Sequence, residues 1–424
     1  MNTATTSKDA ILQALAHLDG RIPVDFGGTA VTGIHASVVA ALHEYYGLGH
    51  DPVKVTEPYQ MLGQVTDPLR EAMGIDTLNL DGRNTLFGYS NTAPWREWQT
   101  PWGQQVLVPA KFQTRRDPNG DIFIFPEGDT EAQPSGHMPA NGYFFDAIVR
   151  QEPIDEDALN PVDNLEEFTT FTAEDIAYWT AQAQLARTSR RGVVATMGGT
   201  AFGDIALVPA TFLKRPKGIR DISEWYMSLV ARTGYVHAIF ARQCEVALEN
   251  LRQFHAIVGD TIDALYVCGT DFGTQISQFC SPATFDELYA PYYKQVNDWI
   301  HRHTRWKTIK HSCGAVDPLI PNIIRAGFDI LNPVQCSAAG MDPRHLKQTH
   351  GRDIVFWGGG VDTQKTLPFG TPAQVRAEVL ERCRVFGQGG GFVFNAIHNI
   401  QARTPVENVV AMIDAVKDYN SAGG

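Results

Sequence analysis

His311 and Cys313 flank a single serine in the stretch KTIKHSCGAVDPLI, residues 307–320. The residues before them read as a strand, and in a strand residues two apart point to the same side. Imidazole and thiol therefore project together where the strand gives way to a loop. A nitrogen and a sulfur donor side by side make a zinc-type pair, because zinc takes such ligands in tetrahedral sites. Packed core residues can show the same spacing, so a third donor is needed. His398, at the end of the last strand-like run, is the first candidate, Cys336 the second and Cys268 the third. Three protein ligands would leave one position open for substrate, as catalytic zinc requires.

Other groups could take part in chemistry. In PVDFGGTAVTGIH, Asp25 ends the first predicted strand, and Gly27 and Gly28 permit close backbone approach. A carboxylate there either orients substrate and transfers a proton or holds its own loop by hydrogen bonds. Asp271 takes an equivalent place after a later strand and is the other candidate acid or base. His35, Gln335, Asp362 and Asn395 are assigned to substrate binding. Gly358–Gly360 and Gly389–Gly391 complete neither a Rossmann nor a Walker pattern, so they read as tight turns.

These residues need a scaffold that collects them. From TIDALYVCG onward, strand-like and helix-like runs alternate through WKTIKHSCG, FDILNPVQC, RDIVFWGGG and GFVFNAIHN. Such alternation implies parallel βα units. The intervening helices open on Ser281-Pro282, Asp317-Pro318, Asp342-Pro343, Thr371-Pro372 and Thr404-Pro405. In each, the first residue can cap a free N–H, and proline at the first helical position loses no hydrogen bond. Thr371 with Gln374, and Thr404 with Glu407, also have capping-box spacing. With earlier strands near RIPVDFG, IDTLNL and RGVVATMG, the pattern predicts an α/β fold, a (β/α)8 TIM barrel with the polar residues at its rim. A doubly wound open sheet is the alternative. Residues 1–424 are read as one domain. The aromatic, turn-rich stretch at about 85–165 is read as a β-rich insertion, either a lid or a structural flap. Its Trp95, Trp98, Trp102, Tyr143 and Phe144 either line an apolar pocket or form the insertion's own core.

Composition narrows the function. The formal net charge is -12, which repels phosphate backbones, and no basic run offsets it. Nucleic acid is not an expected partner. No apolar run is long enough to span a membrane. The six cysteines are scattered through the second half of the chain, and the first twenty residues lack the pattern of a secretory signal. A cytoplasmic location with reduced thiols is the expectation.

The segments HSCGAVDPLI, GFDILNPVQ, GGGVDTQKTLP and FNAIHNIQARTPVENV together resemble the uroporphyrinogen decarboxylase superfamily, strongest from about Asp263 onward. The resemblance implies a (β/α)8 barrel and makes a homodimer plausible. Two branches are implied. The decarboxylases carry an N-terminal RQAGRY signature for substrate carboxylates, which this chain lacks. The zinc-dependent methyltransferases that work with corrinoid proteins use a His-x-Cys pair and a later cysteine. His311 and Cys313 match the pair, while His398 holds the later position, as a histidine does in the decarboxylases. The leading expectation is therefore a zinc-dependent demethylase. It would move a methyl group from a small methylated substrate, such as an O-methyl aromatic, to cobalamin on a separate corrinoid protein, since no Asp-x-His-x-x-Gly signature is present. A metal-free decarboxylase or lyase using Asp25 and His398 is the second reading. A non-catalytic barrel that binds a small molecule or corrinoid is the third.

Overall fold

Residues 6–423 are described by a computed structural model. Seven parallel strands form its central sheet: β1 (Thr77–Leu80), β2 (Gly192–Ala195), β3 (Ala264–Cys268), β4 (Lys307–His311), β5 (Ile330–Asn332), β6 (Val355–Trp357) and β7 (Phe392–Val393). They pair in sequence order, each beside the next. The strand predicted at RIPVDFG is reduced to one bridge, Val24 opposite Phe394. Asp25 N donates to Phe394 O at 2.9 Å, and Asp76 N donates to Val24 O at 2.7 Å. This short segment thus touches the chain beside both edge strands. Pro23 has no N–H to extend a ladder, and Gly27 turns the chain at φ 84°, which keeps the pairing this short.

The sheet's inner face is built in layers by the strand period of two. Val194, Ala264, Ile309, Ile330, Val355 and Val393 form one apolar cluster with Ile11, Ala14 and Leu15 of the helix Ser7–Leu15. Two residues further along their chains come His311, Asn332, Trp357 and Asn395. The site therefore sits on a packed floor at the C-terminal ends of the strands. Outward-facing Leu265, Leu331, Phe356 and Phe392 belong to the larger core beneath the surrounding helices.

The helices that matter for the site are α1 (Ala290–His303), α2 (Ile320–Arg325), α3 (Pro343–His350), α4 (Pro372–Phe386) and α5 (Val406–Ser421). Ser281 and Asp342 accept from Thr284 N and His345 N at 3.1 and 2.9 Å. Thr371 and Gln374 make the reciprocal capping box. Two expected caps differ. The α5 cap residue is Pro405, and Thr404 instead donates its hydroxyl to Gln401 O at 2.8 Å. At Asp317 the cap is Val316, with no side-chain bond, because the Asp317 carboxylate is drawn to two histidines of α3.

Between β1 and β2 lies the aromatic segment. Trp95–Gln99 pairs antiparallel with Gln105–Pro109, which also recruits Val53–Glu57 in parallel. Thr114–Arg116, Ile122–Ile124, Gly136–Met138 and Asp146–Ala147 form a second antiparallel sheet. The strands of this segment stop at Ala147, and the stretch expected to run to about 165 continues through irregular chain and turns to a short 3-10 helix, Pro161–Asn164. Trp102 stacks on Tyr143 at 5.3 Å and Trp98 meets Phe112 at 5.0 Å. These rings pack within the segment, whereas Phe144 is exposed. No helix of the described residues is long and apolar enough to cross a membrane.

Candidate metal centre

His311 ends β4 directly opposite Asn332 in the parallel register. Its Nδ1 lies 2.7 Å from Asn332 Oδ1. The amide cannot be reversed without loss, because Asn332 Nδ2 donates to Trp357 O at 2.9 Å. The oxygen therefore faces the ring, and Nδ1 must carry the proton. The lone pair is left on Nε2. Burial, with Lys310 next in the chain as the further cationic influence, lowers the His311 pKa to about 3, so the ring stays neutral.

Cys313 Sγ stands 3.5 Å from that Nε2. The loop is held there by its backbone: Cys313 N donates to Asp271 Oδ1 at 2.6 Å, and Gly314 N to Gln335 Oε1 at 2.7 Å. Gln335 is itself fixed by Gln275, 3.0 Å away. Gly314, at φ 85°, and Gly273 meet so closely that a Cβ on Gly314 would lie 2.4 Å from Gly273 C. Glycine at both positions is what brings the Asp271 loop against the Cys313 loop. Burial first, and then the Asp271 carboxylate, push the Cys313 thiol well above its usual range. Asp271 Oδ1 is also 3.7 Å from His311 Nε2.

His398 completes the group: donor atoms of His311, Cys313 and His398 all lie within 4.8 Å of one another. Its backbone has φ 149°, unusual for a residue with a side chain. Such conformations cost about 1–3 kcal/mol and persist where the surroundings enforce them. Asn399 does so here, accepting from Gly33 N at 2.5 Å and donating to Ala30 O and Gln60 Oε1 at 2.9 and 2.8 Å. Burial and the adjacent His311 lower the His398 pKa to about 3. Asn399 N donates to its Nδ1 at 2.8 Å, so the neutral ring carries its proton on Nε2.

Two neutral imidazoles and a thiol suit zinc. His311 presents a free lone pair as it stands. His398 must turn its ring and release the Asn399 N–H. Magnitudes favour that exchange: one hydrogen bond contributes about 0.5–1.5 kcal/mol. Zinc binding by structural sites, at about 10–16 kcal/mol, amounts to about 3 kcal/mol per ligand.

The remaining candidates lie elsewhere or are already engaged. Cys336 directs its thiol to Val334 O at 3.4 Å, and Cys268 lies 2.6 Å from Tyr293 Oη. Neither belongs to the His311 group. Asp25 is fully buried and accepts from Gly28 N, Thr77 Oγ1 and Trp357 Nε1 at 2.9, 2.6 and 2.8 Å. These bonds hold its loop against β1 and β6. His35 is buried with Nδ1 on Ser37 and Nε2 on Tyr143 O, which ties the helix Ala36–Tyr45 to the aromatic segment. Asp362 accepts from Gln364 N and Lys365 N and shapes its own turn, while Asn395 donates to Asp25 O at 2.6 Å. Gln335 holds the Cys313 loop, and Asn395 Oδ1 is buried without a hydrogen-bond partner among the described residues.

Other neighbours of the site carried no assigned role in the sequence. Tyr266 faces His311 with ring centroids 6.4 Å apart. Asp204 is buried, and that burial, assisted by Asp271, raises its pKa to about 6. It follows β2 in GGTAFGD as Asp271 follows β3, and that shared position was the available signal. Asn332 was legible as a rim residue, but its hold on His311 was not.

The sequence profile described as Uroporphyrinogen decarboxylase (URO-D) matches residues 147–419. A uroporphyrinogen decarboxylase from Coxiella burnetii is 33% identical over 88 residues, 20% of this chain and 24% of that protein. One from Prochlorococcus marinus is 26% identical over 186 residues, 41% of this chain and 50% of that one. The matched stretches thus span a quarter to a half of these curated relatives. A solved methyltransferase from Methanosarcina mazei shares the fold, with TM-score 0.56 and 16% identity over 98% of this chain and 99% of that one.

Proposed function

The chain belongs to the uroporphyrinogen decarboxylase (URO-D) family, and from that premise we propose that it is a zinc-dependent methyltransferase. It takes the methyl group of a small methylated compound, of which O-methyl aromatics are one class to try, and passes it to cobalamin on a partner corrinoid protein. The observation that carries this reading is the free Nε2 lone pair of His311 aimed beside the Cys313 thiol, with His398 closing the group. His311, Cys313 and His398 would hold the ion. Zinc bound there supplies a Lewis acid for the heteroatom that keeps the bonding pair as the methyl departs.

The chain's own residues do the rest. Asn332 keeps the His311 lone pair directed outward. Asp271 anchors Cys313 N and holds its carboxylate beside the thiol. The same carboxyl lies at the mouth of the site, where the departing heteroatom needs a proton. The buried floor below His311 excludes water. The missing RQAGRY arginine argues against a polycarboxylate substrate.

The decarboxylase reading is favoured by one observation: His398 as placed carries its proton on Nε2, as a metal-free acid would. Metal analysis of the purified protein separates the two. Loss of one tightly held zinc per chain in Cys313→Ala relative to wild type, together with methyl donor-dependent conversion of cob(I)alamin to methylcobalamin, supports the transferase. A protein that binds no zinc when it is supplied, and releases carbon dioxide from a trial acid, overturns it.

A further inference from the structure

Asp317 opens the helical turn that follows the Cys313 loop, yet its side chain does not cap that turn. The carboxylate is shared by two imidazoles of α3. His350 Nε2 lies 3.0 Å from Oδ1, and His345 Nε2 lies 3.2 Å from Oδ2. Donor atoms of the three residues all lie within 4.8 Å of one another. This group shares no residue with the His311 centre.

Its geometry suits a metal. Ligands held about 2.0–2.1 Å from a tetrahedral zinc stand about 3.3 Å apart. The contacts of His350 with Oδ1 and of His345 with Oδ2, 3.0 and 3.2 Å, stand near that spacing. A metal-bound histidine also keeps a proton on its other nitrogen and donates it to a neighbour. Thr349 Oγ1, 3.4 Å from His345 Nδ1, stands in that place. Access is graded as well: the His350 side chain is 9% exposed and the His345 side chain 49%. One wall is rigid, and the other is open to an entering ion and to water as a fourth ligand.

We propose that Asp317, His345 and His350 form a second divalent-cation site of the zinc type, tying the end of the Cys313 loop to α3. Two histidines and one carboxylate favour zinc over calcium or magnesium, which prefer all-oxygen surroundings. The site does not depend on metal at His311. Its role is structural bracing: Asp317 follows Cys313 on one loop, so a metal bond at Asp317 limits the motion of the thiol.

The test uses the full chain, stripped with chelator and dialysed against zinc or cobalt(II), with metal per chain measured by mass spectrometry. His345→Ala is expected to bind one equivalent fewer than wild type. Cobalt in Cys313→Ala is expected to give weak visible bands without thiolate charge transfer, and these disappear in Cys313→Ala/His345→Ala. Equal metal content in wild type and His345→Ala across the dialysis series overturns the proposal. Circular dichroism monitors folding, and Asp317→Asn, which keeps shape but removes charge, decides the matter if the alanine variant is misfolded. Failure of the His311 site shows separately, as loss of the thiolate charge-transfer band in wild type while cobalt still loads at His345.

Discussion

The His311 ring meets the Asn332 amide across one rung of the parallel sheet, Nδ1 to Oδ1 at 2.7 Å. Because Asn332 is in turn held by Trp357 O, and Trp357 Nε1 by Asp25, one buried chain of hydrogen bonds runs across the inner layer to the imidazole. The tautomer of His311 is thus set by this chain of protein hydrogen bonds.

Asn332→Leu removes that control. The His311 proton becomes free to move to Nε2, where it competes with metal. Loss of such a supporting partner typically lowers metal affinity by about 10- to 100-fold. Competition against a chromophoric chelator measures this directly. Unchanged zinc affinity in a folded Asn332→Leu protein would remove the tautomer from the account.

Zinc binding is expected to release one proton, not three. Both imidazoles have a pKa lowered to about 3, so neither holds a proton to lose near neutrality. The Cys313 thiol, raised well above its usual range, does hold one. Affinity should then rise about tenfold per pH unit as pH increases, with one proton released per zinc. Calorimetry in buffers of different ionisation enthalpy gives the number. In His345→Ala, where only the His311 group should bind, a steeper dependence below about pH 6.5, where ordinary histidines protonate, would show that His311 and His398 are not held neutral.

Cys313 and Cys336 should behave differently on substitution. Cys313→Ala deletes the sulfur beside His311 and should remove the zinc bound there. Cys336 packs against Val334 O and Gly359 O, outside the group, so Cys336→Ala should keep full zinc content and lose at most about 1–2 kcal/mol of stability. Zinc lost from the Cys336 variant instead would exchange their roles.

What the sequence disclosed follows from the range of each interaction. Alternating strands and helices from residue 263 onward were legible because period, caps and prolines are local signals. His311 and Cys313 were legible because two-residue spacing fixes a shared side. His398 could be paired with them through its place at the end of the last predicted strand. For Asp25 and His35, rim position in a sequence does not say which donors and acceptors the fold brings to a side chain. Those partners lie as far away as Trp357 and Tyr143. Asp317 misled for the same reason, since capping was the only local use for its carboxylate, while the histidines that claim it sit on another helix.

Asp25 supplies the sharpest separation of scaffold from chemistry. Its carboxyl is fully buried, and burial raises its pKa although three donors converge on its oxygens. Asp25→Ala leaves Gly28 N, Thr77 Oγ1 and Trp357 Nε1 without a partner, and a buried unsatisfied donor costs about 1–3 kcal/mol. The expected loss is about 3–6 kcal/mol, read as a lower urea midpoint with an unchanged slope. Asp25→Asn keeps an acceptor and should lose less. Zinc per folded chain should remain near wild type in the Asn variant, because Asp25 reaches His311 only through Trp357 and Asn332. If Asp25→Asn is as stable as wild type and binds zinc normally, yet has lost turnover, then Asp25 acts on the substrate and the scaffold reading fails.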